Sequence, residues 1–432
     1  MKKTFVFFIL TFLLFQGTLM SITLNNIKYK NHKIPVIFDK YKKLPIFNLQ
    51  LVFKNSGYIN DTNLSGLTNI STKVLNEGTI KDGAIKFSSK LENNAIEIYT
   101  SIGLETVVIE ISCLKEQYPK AMKYLVQLLK NPNITQDTID KIKKLTLSKL
   151  AQKQNDFDFI ASSNLKSIIY KDTSLENTSL GNIEDINNIR ITDVKQRLSE
   201  ILNINNLIIV SGGDISKSIL QDDLLKVFST LSNKKLKNKI SKIDINKNSE
   251  SITVKKQTEQ SYIYFAAPLN LNFDSKDLYK AKLASFILGS SGFGSRLMEE
   301  IRVKNGLAYS VYAHFTHKKS HSNFSGYLQT KLENTSKAQN MVSRIVEKFV
   351  QNGVTKEELN SAKLFLSGSE PLRTETFSQR LSKAFNLYYK GLPFDYSTKE
   401  LELINNLSID DLNNFIKEHK EINKITFSIV TK

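Results

Sequence analysis

The sequence is poor in cysteine, because Cys113 is the only one among its 432 residues. A single thiol cannot form an internal disulfide, which excludes the disulfide-stapled scaffolds common among exported proteins. Cys113 lies in the apolar run 107–114, and this setting predicts a buried, unreactive thiol. With 41% hydrophobic and 24% charged residues, the composition is that of a globular protein.

Signatures of nucleic-acid binding are missing as well. The net charge of +18 is carried by lysines spread along the whole chain, with no zinc finger, single-strand-binding aromatic motif or arginine cluster. A phosphate-binding loop, a dinucleotide fingerprint and a Ser-His-Asp motif are also lacking, and the segment 211–214 is interpreted as a turn that leaves a strand. We therefore expect no nucleic-acid partner, and a basic surface that favours acidic partners or peptides.

Long apolar runs are absent apart from the N-terminus, where Lys2 and Lys3 precede an apolar stretch over residues 5–15. This stretch has the length of a signal-peptide core and is too short for a comfortable membrane span. Residues 1–21 are therefore predicted to be a signal peptide, cleaved near Ser21, or an uncleaved anchor. The sequence predicts an exported, periplasmic protein whose only membrane contact is this segment, if it is retained.

The remaining chain is too long for one ordinary core and reads as two similar halves. Each half opens with an apolar strand, at 46–53 and at 262–267, followed by a helix that ends in a glycine turn. Each half also closes with a helix and a strand. A duplication of this length indicates two copies of one domain, 22–231 and 252–432, joined by a Lys-, Asn- and Ser-rich linker at 232–251.

Within each half, strand and helix patterns mix without regular alternation. Residues 95–99 and 106–111 alternate in polarity like a half-buried hairpin, and residues 118–129 have the apolar spacing of a helix. At the start of another helix, Ser408 and Asp411 form a capping pattern. We predict an α+β fold of two homologous domains, each a mainly antiparallel sheet with helices packed on one face.

The segment 289–312 contains a glycine-rich turn, the tripeptide Ser-Arg-Leu, a short helix with an arginine, and then Gly-Leu-Ala-Tyr-Ser. The seven-residue separation of Arg302 and Tyr309 allows a guanidinium and a phenol to meet at one edge of a sheet. The segment closely resembles the C-terminal-half signature of the pitrilysin/insulinase metallopeptidases. The resemblance assigns substrate and transition-state contacts to Arg302 and Tyr309, and places Gly289, Gly292, Gly294 and Ser295 in the glycine-rich loop.

A weaker resemblance covers residues 66–79, which match the frame of the family's zinc-binding helix but not its chemistry. Asn69 and Lys73 stand where the two zinc-binding histidines belong, and Thr72 stands in place of the catalytic glutamate. Lys149 occupies the position of the third ligand, a glutamate. An amide is a poor zinc ligand, an ammonium group repels the cation, and no general base is present. The sequence therefore predicts no metal and no cofactor on this chain.

In two-chain members of this family, one subunit supplies the zinc and the other supplies the Arg/Tyr pair. The resemblance therefore implies a non-zinc-binding subunit of a heterodimer, whose zinc-bearing partner hydrolyses peptide substrates with help from Arg302 and Tyr309. On its own the chain is expected to be inactive. The alternative is a non-catalytic structural or scaffold subunit of a larger envelope assembly, which needs the fold but not the pair.

Histidines gather only at His314, His317 and His321. No carboxylate motif accompanies them, and on a strand His314 and His317 point to opposite faces. They are interpreted as surface side chains at a strand end and loop.

Overall fold

A computed structural model describes residues 22–235, 240–247 and 250–432. The predicted signal segment 1–21 lies outside the described residues, as do positions 236–239 and 248–249 of the predicted linker. The domain boundaries given above remain a prediction. Within the described ranges, no helix combines the length and the apolar character needed to cross a membrane.

The first half is built on a six-stranded sheet. Its strands are β1 (Ile22–Tyr29), β2 (His32–Lys40), β3 (Ile46–Lys54), β4 (Ile96–Ile102), β5 (Thr106–Leu114) and β6 (Leu207–Gly213). They lie in the order β1-β2-β6-β3-β5-β4, and every neighbouring pair is antiparallel except β2 with β6. The predicted hairpin is confirmed as β4 and β5.

The second half is built on a five-stranded sheet. Its strands are β7 (Ile252–Lys255), β8 (Gln260–Pro268), β9 (Ala308–His317), β10 (Ser322–Lys331) and β11 (Thr426–Thr431). Their order is β7-β11-β8-β10-β9, and only β7 and β11 run parallel. The edge strand β9 is the one that carries Tyr309. Two mainly antiparallel sheets in one chain confirm the predicted α+β class.

Helices connect the strands in both halves. In the first half they are α1 (Leu67–Val74), α2 (Gly83–Glu92), α3 (Tyr118–Lys130), α4 (Gln136–Lys153), α5 (Phe157–Ile169), α6 (Ile183–Asn188), α7 (Ile191–Ile201) and α8 (Lys217–Phe228). In the second half they are α9 (Leu278–Ser285), α10 (Thr335–Asn352), α11 (Lys356–Ser369), α12 (Phe377–Tyr389), α13 (Tyr396–Asn406) and α14 (Ile409–Glu418). Short π-helical turns occupy Phe286–Ser290 and Met298–Lys304.

Side-chain caps explain where several helices begin. The Ser408 hydroxyl accepts a hydrogen bond from the Asp411 amide at 3.1 Å, which confirms the predicted start of α14. At α11, Thr355 and Glu358 exchange hydrogen bonds between side chain and backbone. Each such cap satisfies an amide at the helix start and contributes about 1 kcal/mol.

Each sheet has its own hydrophobic core on one face. Along β5, Val107, Ile109, Ile111 and Cys113 are buried in alternation with partly exposed residues. They pack in the first core with α1, α3, α7 and α8. Cys113 is buried, as predicted, and burial raises its pKa to about 11. The second core forms in the same way between the second sheet and helices α9, α10, α11 and α14.

The opposite face of each sheet is covered by a helix from the other half. Helix α12 of the second half packs Leu381 and Ala384 against Ile37 and Val210 of the first sheet. This contact explains why β6 is buried along its whole length.

Helix α5 of the first half covers the second sheet in the same way. Leu165 and Ile169 of α5 pack in one apolar cluster with Ala266 of β8. At the start of the helix, Asp158 accepts a hydrogen bond from the Tyr264 hydroxyl at 3.0 Å. The halves are thus joined by exchanged helices as well as by the chain between them.

A buried carboxylate adds a polar contact between the halves. Glu105, 8% exposed, accepts hydrogen bonds from the Ser320 amide at 2.9 Å and the Ser320 hydroxyl at 2.8 Å. Its other oxygen accepts one from the Tyr389 hydroxyl at 2.9 Å. Because a buried charge needs several donors, this arrangement fixes the β4–β5 turn against the β9–β10 turn and α12.

Candidate functional site

The degenerate zinc-motif positions lie together, on α1 and α4. Helix α1 starts after Gly66, whose φ of +87° and close approach to Leu180 require glycine. Asn69 and Thr72 are buried, and Lys73 is partly buried. The ammonium group of Lys73 donates a hydrogen bond to the Thr146 hydroxyl of α4 at 3.2 Å. The four positions thus lie on two helices that contact each other through Lys73 and Thr146.

The charges at this place oppose a metal ion. Burial, and then the positive charge of Lys149 on α4, lower the pKa of Lys73. The Thr72 hydroxyl donates to the carbonyl of Thr68 at 2.6 Å, and no described residue accepts a hydrogen bond from the Asn69 Nδ2. Two amines, a hydroxyl and an amide do not fit zinc, which takes imidazole, thiolate or carboxylate ligands. Across the described residues, no group of three or more His, Cys, Asp and Glu side chains is arranged to hold a metal.

Beside these positions lies a buried polar network that sequence reasoning missed. Arg197 of α7 donates to the Thr68 hydroxyl at 2.8 Å and to the carbonyls of Ser56 and Gly57 at 3.2 and 3.1 Å. Asp61 accepts from the Thr68 amide, and burial raises the pKa of Asp61 to about 6. The available signal was an arginine on the apolar face of α7, where a charge needs buried partners. The network fixes the start of α1.

Arg302 and Tyr309 lie side by side at the outer edge of the second sheet. The Arg302 guanidinium carbon is 4.8 Å from the centre of the Tyr309 ring and 4.7 Å from that of Phe293. The guanidinium cation thus lies over two aromatic rings, and the faces of such rings attract a positive charge. Tyr309 is 82% exposed and Phe293 is 67% exposed. Phe293 was not among the residues predicted for this site.

The glycine-rich loop before this pair depends on unusual backbone angles. Gly292 and Gly294 have φ of +70° and +87°, although a side chain at either would meet nothing within 4 Å. Conformation rather than space requires glycine there. Ser295 is fully buried, and its hydroxyl donates to the Gly292 carbonyl at 2.7 Å. Gly289 serves another purpose, because a Cβ there would lie 2.9 Å from Ala313 on β9.

Arg296, the arginine of the Ser-Arg-Leu tripeptide, has a structural partner. Its guanidinium donates to both carboxylate oxygens of Glu358 at 2.5 and 2.6 Å, and to the Gly353 carbonyl at 2.7 Å. This paired geometry ties the loop to the start of α11. Arg302 differs, because its side chain makes no hydrogen bond or ion pair with any residue in the described ranges.

The zinc-motif positions and the Arg302–Tyr309 pair belong to different halves. The former pack on the first core, and the latter stand on the loop and edge strand of the second sheet. No hydrogen bond, ion pair or ring contact between described residues joins the two groups. The functional roles assigned to these residues stay predictions.

The interpretation of the three histidines as surface side chains is wrong. His321 is 9% exposed, and His314 and His317 are partly buried. Burial is the main cause that lowers all three pKa values, to about 4 for His317 and His321. Helices α5 and α12 pack over these histidines and bury them. A local strand pattern does not reveal which helices cover the strand.

Two family models match this chain. The model described as Insulinase (Peptidase family M16) matches residues 47–182, and the model described as Peptidase M16 inactive domain matches residues 188–366. Together they cover more than half of the sequence.

Similar proteins and structures agree with these matches. A Helicobacter pylori protein named Non-peptidase homolog YmxG is 40% identical, over 100% of this chain and 99% of that protein. A Bacillus subtilis protein named Uncharacterized zinc protease YmxG is 21% identical, over 74% of this chain and 77% of its own length. The crystal structure of a peptidase M16 inactive domain from Pseudomonas fluorescens has the same fold, with a TM-score of 0.86, 22% identity and coverage of 95% of this chain and 98% of that one. The chain therefore belongs to the insulinase family of peptidases, family M16.

Proposed function

We propose that this chain is the zinc-lacking subunit of an exported heteromeric peptidase, and that it contributes Arg302 and Tyr309 to a site completed by a zinc-bearing family member. The observation that carries the proposal is the contrast between its two motif regions. The zinc-motif positions hold amines, a hydroxyl and an amide, whereas Arg302 and Tyr309 are in contact, with Tyr309 exposed and Arg302 partly buried.

The chain is a non-catalytic member of its family. No imidazole or carboxylate stands at Asn69, Thr72, Lys73 or Lys149 to bind zinc or to activate water. The similarity to a Helicobacter pylori protein named as a non-peptidase homologue, along its whole length, supports the same conclusion. Any zinc used in catalysis is expected on the partner subunit.

The Arg302–Tyr309 pair is suited to contact a peptide from outside the chain. Arg302 keeps its N–H donors free of described partners while two rings hold its guanidinium in place. The Tyr309 hydroxyl is likewise unused by the described part of the chain. Donors fixed in advance stabilise negative charge that develops on a peptide carbonyl without further reorganisation. The edge strand β9 adds backbone groups that can pair with an extended peptide.

Export is part of the proposal and rests on the sequence alone. Lys2, Lys3 and the apolar stretch 5–15 favour passage across the inner membrane into the periplasm, with or without cleavage.

Reconstitution tests this function. The chain is co-expressed with a family member from the same organism that has an intact His-x-x-Glu-His motif, and each protein is also purified alone. We expect a stable complex that hydrolyses peptides, with zinc on the partner and no hydrolysis by this chain alone. If the partner forms no complex with this chain, or is equally active without it, the proposed subunit role is wrong.

A further inference from the structure

A cavity of about 350 Å³ lies between α5 and the face of the second sheet that α5 covers. Leu165 and Ile169 of α5 form one wall, and residues of β8, β9 and β10 form the other. The cavity is thus assembled from both halves of the chain. Its volume is in the range of small-molecule sites, which is roughly 300–1,000 Å³.

Three tyrosines on neighbouring strands form an aromatic floor. The rings of Tyr264 on β8 and Tyr327 on β10 are 5.6 Å apart and nearly parallel, at 20°. The ring of Tyr312 on β9 lies 6.3 Å from that of Tyr327. Tyr312 is 36% exposed, so the cavity opens towards the edge strand. Such a floor suits the apolar body of a ligand.

Polar atoms without partners line the same cavity. Asn323 is 7% exposed, and its Nδ2 donates to the Tyr170 hydroxyl at 2.8 Å, while no described residue donates to its Oδ1. The Nδ1 of His314 is also buried and has no hydrogen-bond partner among the described residues. Because buried polar atoms are normally hydrogen-bonded, these atoms indicate that the cavity accommodates a polar group.

The charge in the wall is positive. Lys166 of α5 lines the cavity, and no described residue accepts a hydrogen bond or forms an ion pair with its ammonium group. Burial, and then the charge of Lys318, lower the pKa of Lys166. Two carboxylates near this wall are already occupied: Glu105 by Ser320 and Tyr389, and Asp158 by Tyr264 and Gln329. Between described residues, no carboxylate forms an ion pair with Lys166 or Lys318.

We propose that this cavity binds an apolar carboxylic acid, with its carboxylate at Lys166 and its hydrocarbon or aromatic body on the tyrosine floor. One anionic end and one apolar body match a wall that has an ammonium group and mostly apolar side chains. This site lies apart from the Arg302–Tyr309 pair and needs no partner subunit. The acid is either a free carboxylic acid or the C-terminal apolar residue of a peptide.

Calorimetric titration of the purified chain tests the proposal. Sodium octanoate is the probe, octan-1-ol is its uncharged match, and inorganic phosphate tests a purely anionic ligand. We expect saturable octanoate binding and no phosphate binding. A short peptide ending in phenylalanine, as free acid and as amide, separates the two sources: tighter binding of the peptide acid than of octanoate points to a peptide C-terminus, and the reverse points to a free acid.

Matched variants locate the site. Lys166→Met keeps most of the unbranched side chain and removes its charge, and should weaken octanoate binding about tenfold or more with little effect on octan-1-ol. Lys144→Met on the exposed face of α4 is the control and should change neither. Ser162→Leu leaves the charge in place but fills the cavity, and should weaken both probes.

The proposal is overturned if octanoate does not saturate the chain, or if phosphate binds as tightly as octanoate. It is also overturned if octanoate binds the folded Lys166→Met and Ser162→Leu proteins as well as it binds the unmodified chain. Should Lys166→Met fail to fold, as judged by circular dichroism, octanoate binding to Ser162→Leu alone tests the proposal.

Discussion

At the scale of single residues, charge decides what the zinc-motif region can do. Lys73 and Lys149 place two ammonium groups where the family's second histidine and glutamate would stand, and burial, then the charge of Lys149, lower the pKa of Lys73. Neither group becomes a zinc ligand without losing its proton in competition with water and with any better ligand. We therefore expect that the residue types at these positions, and not a change of fold, prevent zinc binding.

The metal content of the purified chain checks this account. We expect far less than stoichiometric zinc in the unmodified protein, and no change in thermal stability when a chelator is added. Because the frame is intact, the triple variant Asn69→His, Lys73→His and Lys149→Glu should gain zinc. Elemental analysis measures both proteins, and tightly bound stoichiometric zinc in the unmodified chain would contradict the account.

His317 gives the protein a pH-dependent term in its stability. Burial, and then Lys390, lower its pKa from the ordinary 6.5 to about 4 in the folded chain. The folded state therefore binds the proton more weakly than the unfolded state does. The stability from the neutral ring is complete above pH 6.5 and is lost as the pH falls towards 4.

The His317→Gln variant removes this titration. Between pH 7 and pH 4.5 we expect the unmodified protein to lose roughly 2–3 kcal/mol more of its free energy of unfolding than the variant, at about 1.4 kcal/mol per pKa unit. Urea unfolding at the two pH values measures the difference. Parallel losses in the two proteins would show that the ring is not buried in neutral form.

At the scale of elements, local sequence patterns predicted where strands and helices lie along the chain. They predicted less well which elements pack against one another. The alternation in β5 and the helical spacing in α3 both identify elements close to the observed bounds. The same patterns give no sign that α5 and α12 each cross to the sheet of the other half. An amphipathic helix shows which of its faces is apolar, but not which sheet that face meets.

The same limit applies at the site. The motif predicted that Arg302 and Tyr309 meet, because only seven residues separate them in the chain. It did not predict that Arg296 pairs with Glu358, which lies on another helix. Contacts of this kind depend on the packing of α11 against the loop, which no local pattern contains.

Helix α12 depends on a glycine in the sheet that it covers. A Cβ on Gly212 would lie 2.3 Å from the Asp39 carbonyl oxygen and 2.9 Å from the Phe377 ring. Gly212→Ala should therefore destabilise the protein by about 1–3 kcal/mol, because the backbone and α12 must both shift. Urea unfolding followed by circular dichroism measures the change.

Gly368 on α11 offers a matched control, since a Cβ there meets nothing within 4 Å. Gly368→Ala should leave stability unchanged or raise it by up to about 1 kcal/mol, as alanine favours a helix over glycine. Equal stability of the two variants would mean that α12 does not pack on β6 as described.

At the scale of the whole molecule, the two halves behave as one unit. The exchanged helices and the hydrogen bonds of Glu105 hold the sheets in one arrangement. In the proposed complex, this arrangement would present Arg302 and Tyr309 from a fixed support, as an electrostatic contact to a transition state requires.

The central claim is that Tyr309 acts in a catalytic site completed by another chain. The most direct test is the turnover number of the reconstituted complex that carries Tyr309→Phe in this subunit. Tyr309 is 82% exposed, and the substitution removes only its hydroxyl, so folding and assembly should be preserved. Tyr99→Phe on the edge strand β4 of the other sheet is the matched control, at 56% exposure.

We expect Tyr309→Phe to lower turnover by about 10²–10³, as loss of one transition-state hydrogen-bond donor does, and Tyr99→Phe to leave it unchanged. An intact Tyr309→Phe complex that cleaves peptides at the unmodified rate would contradict the shared site and leave a scaffold role in its place.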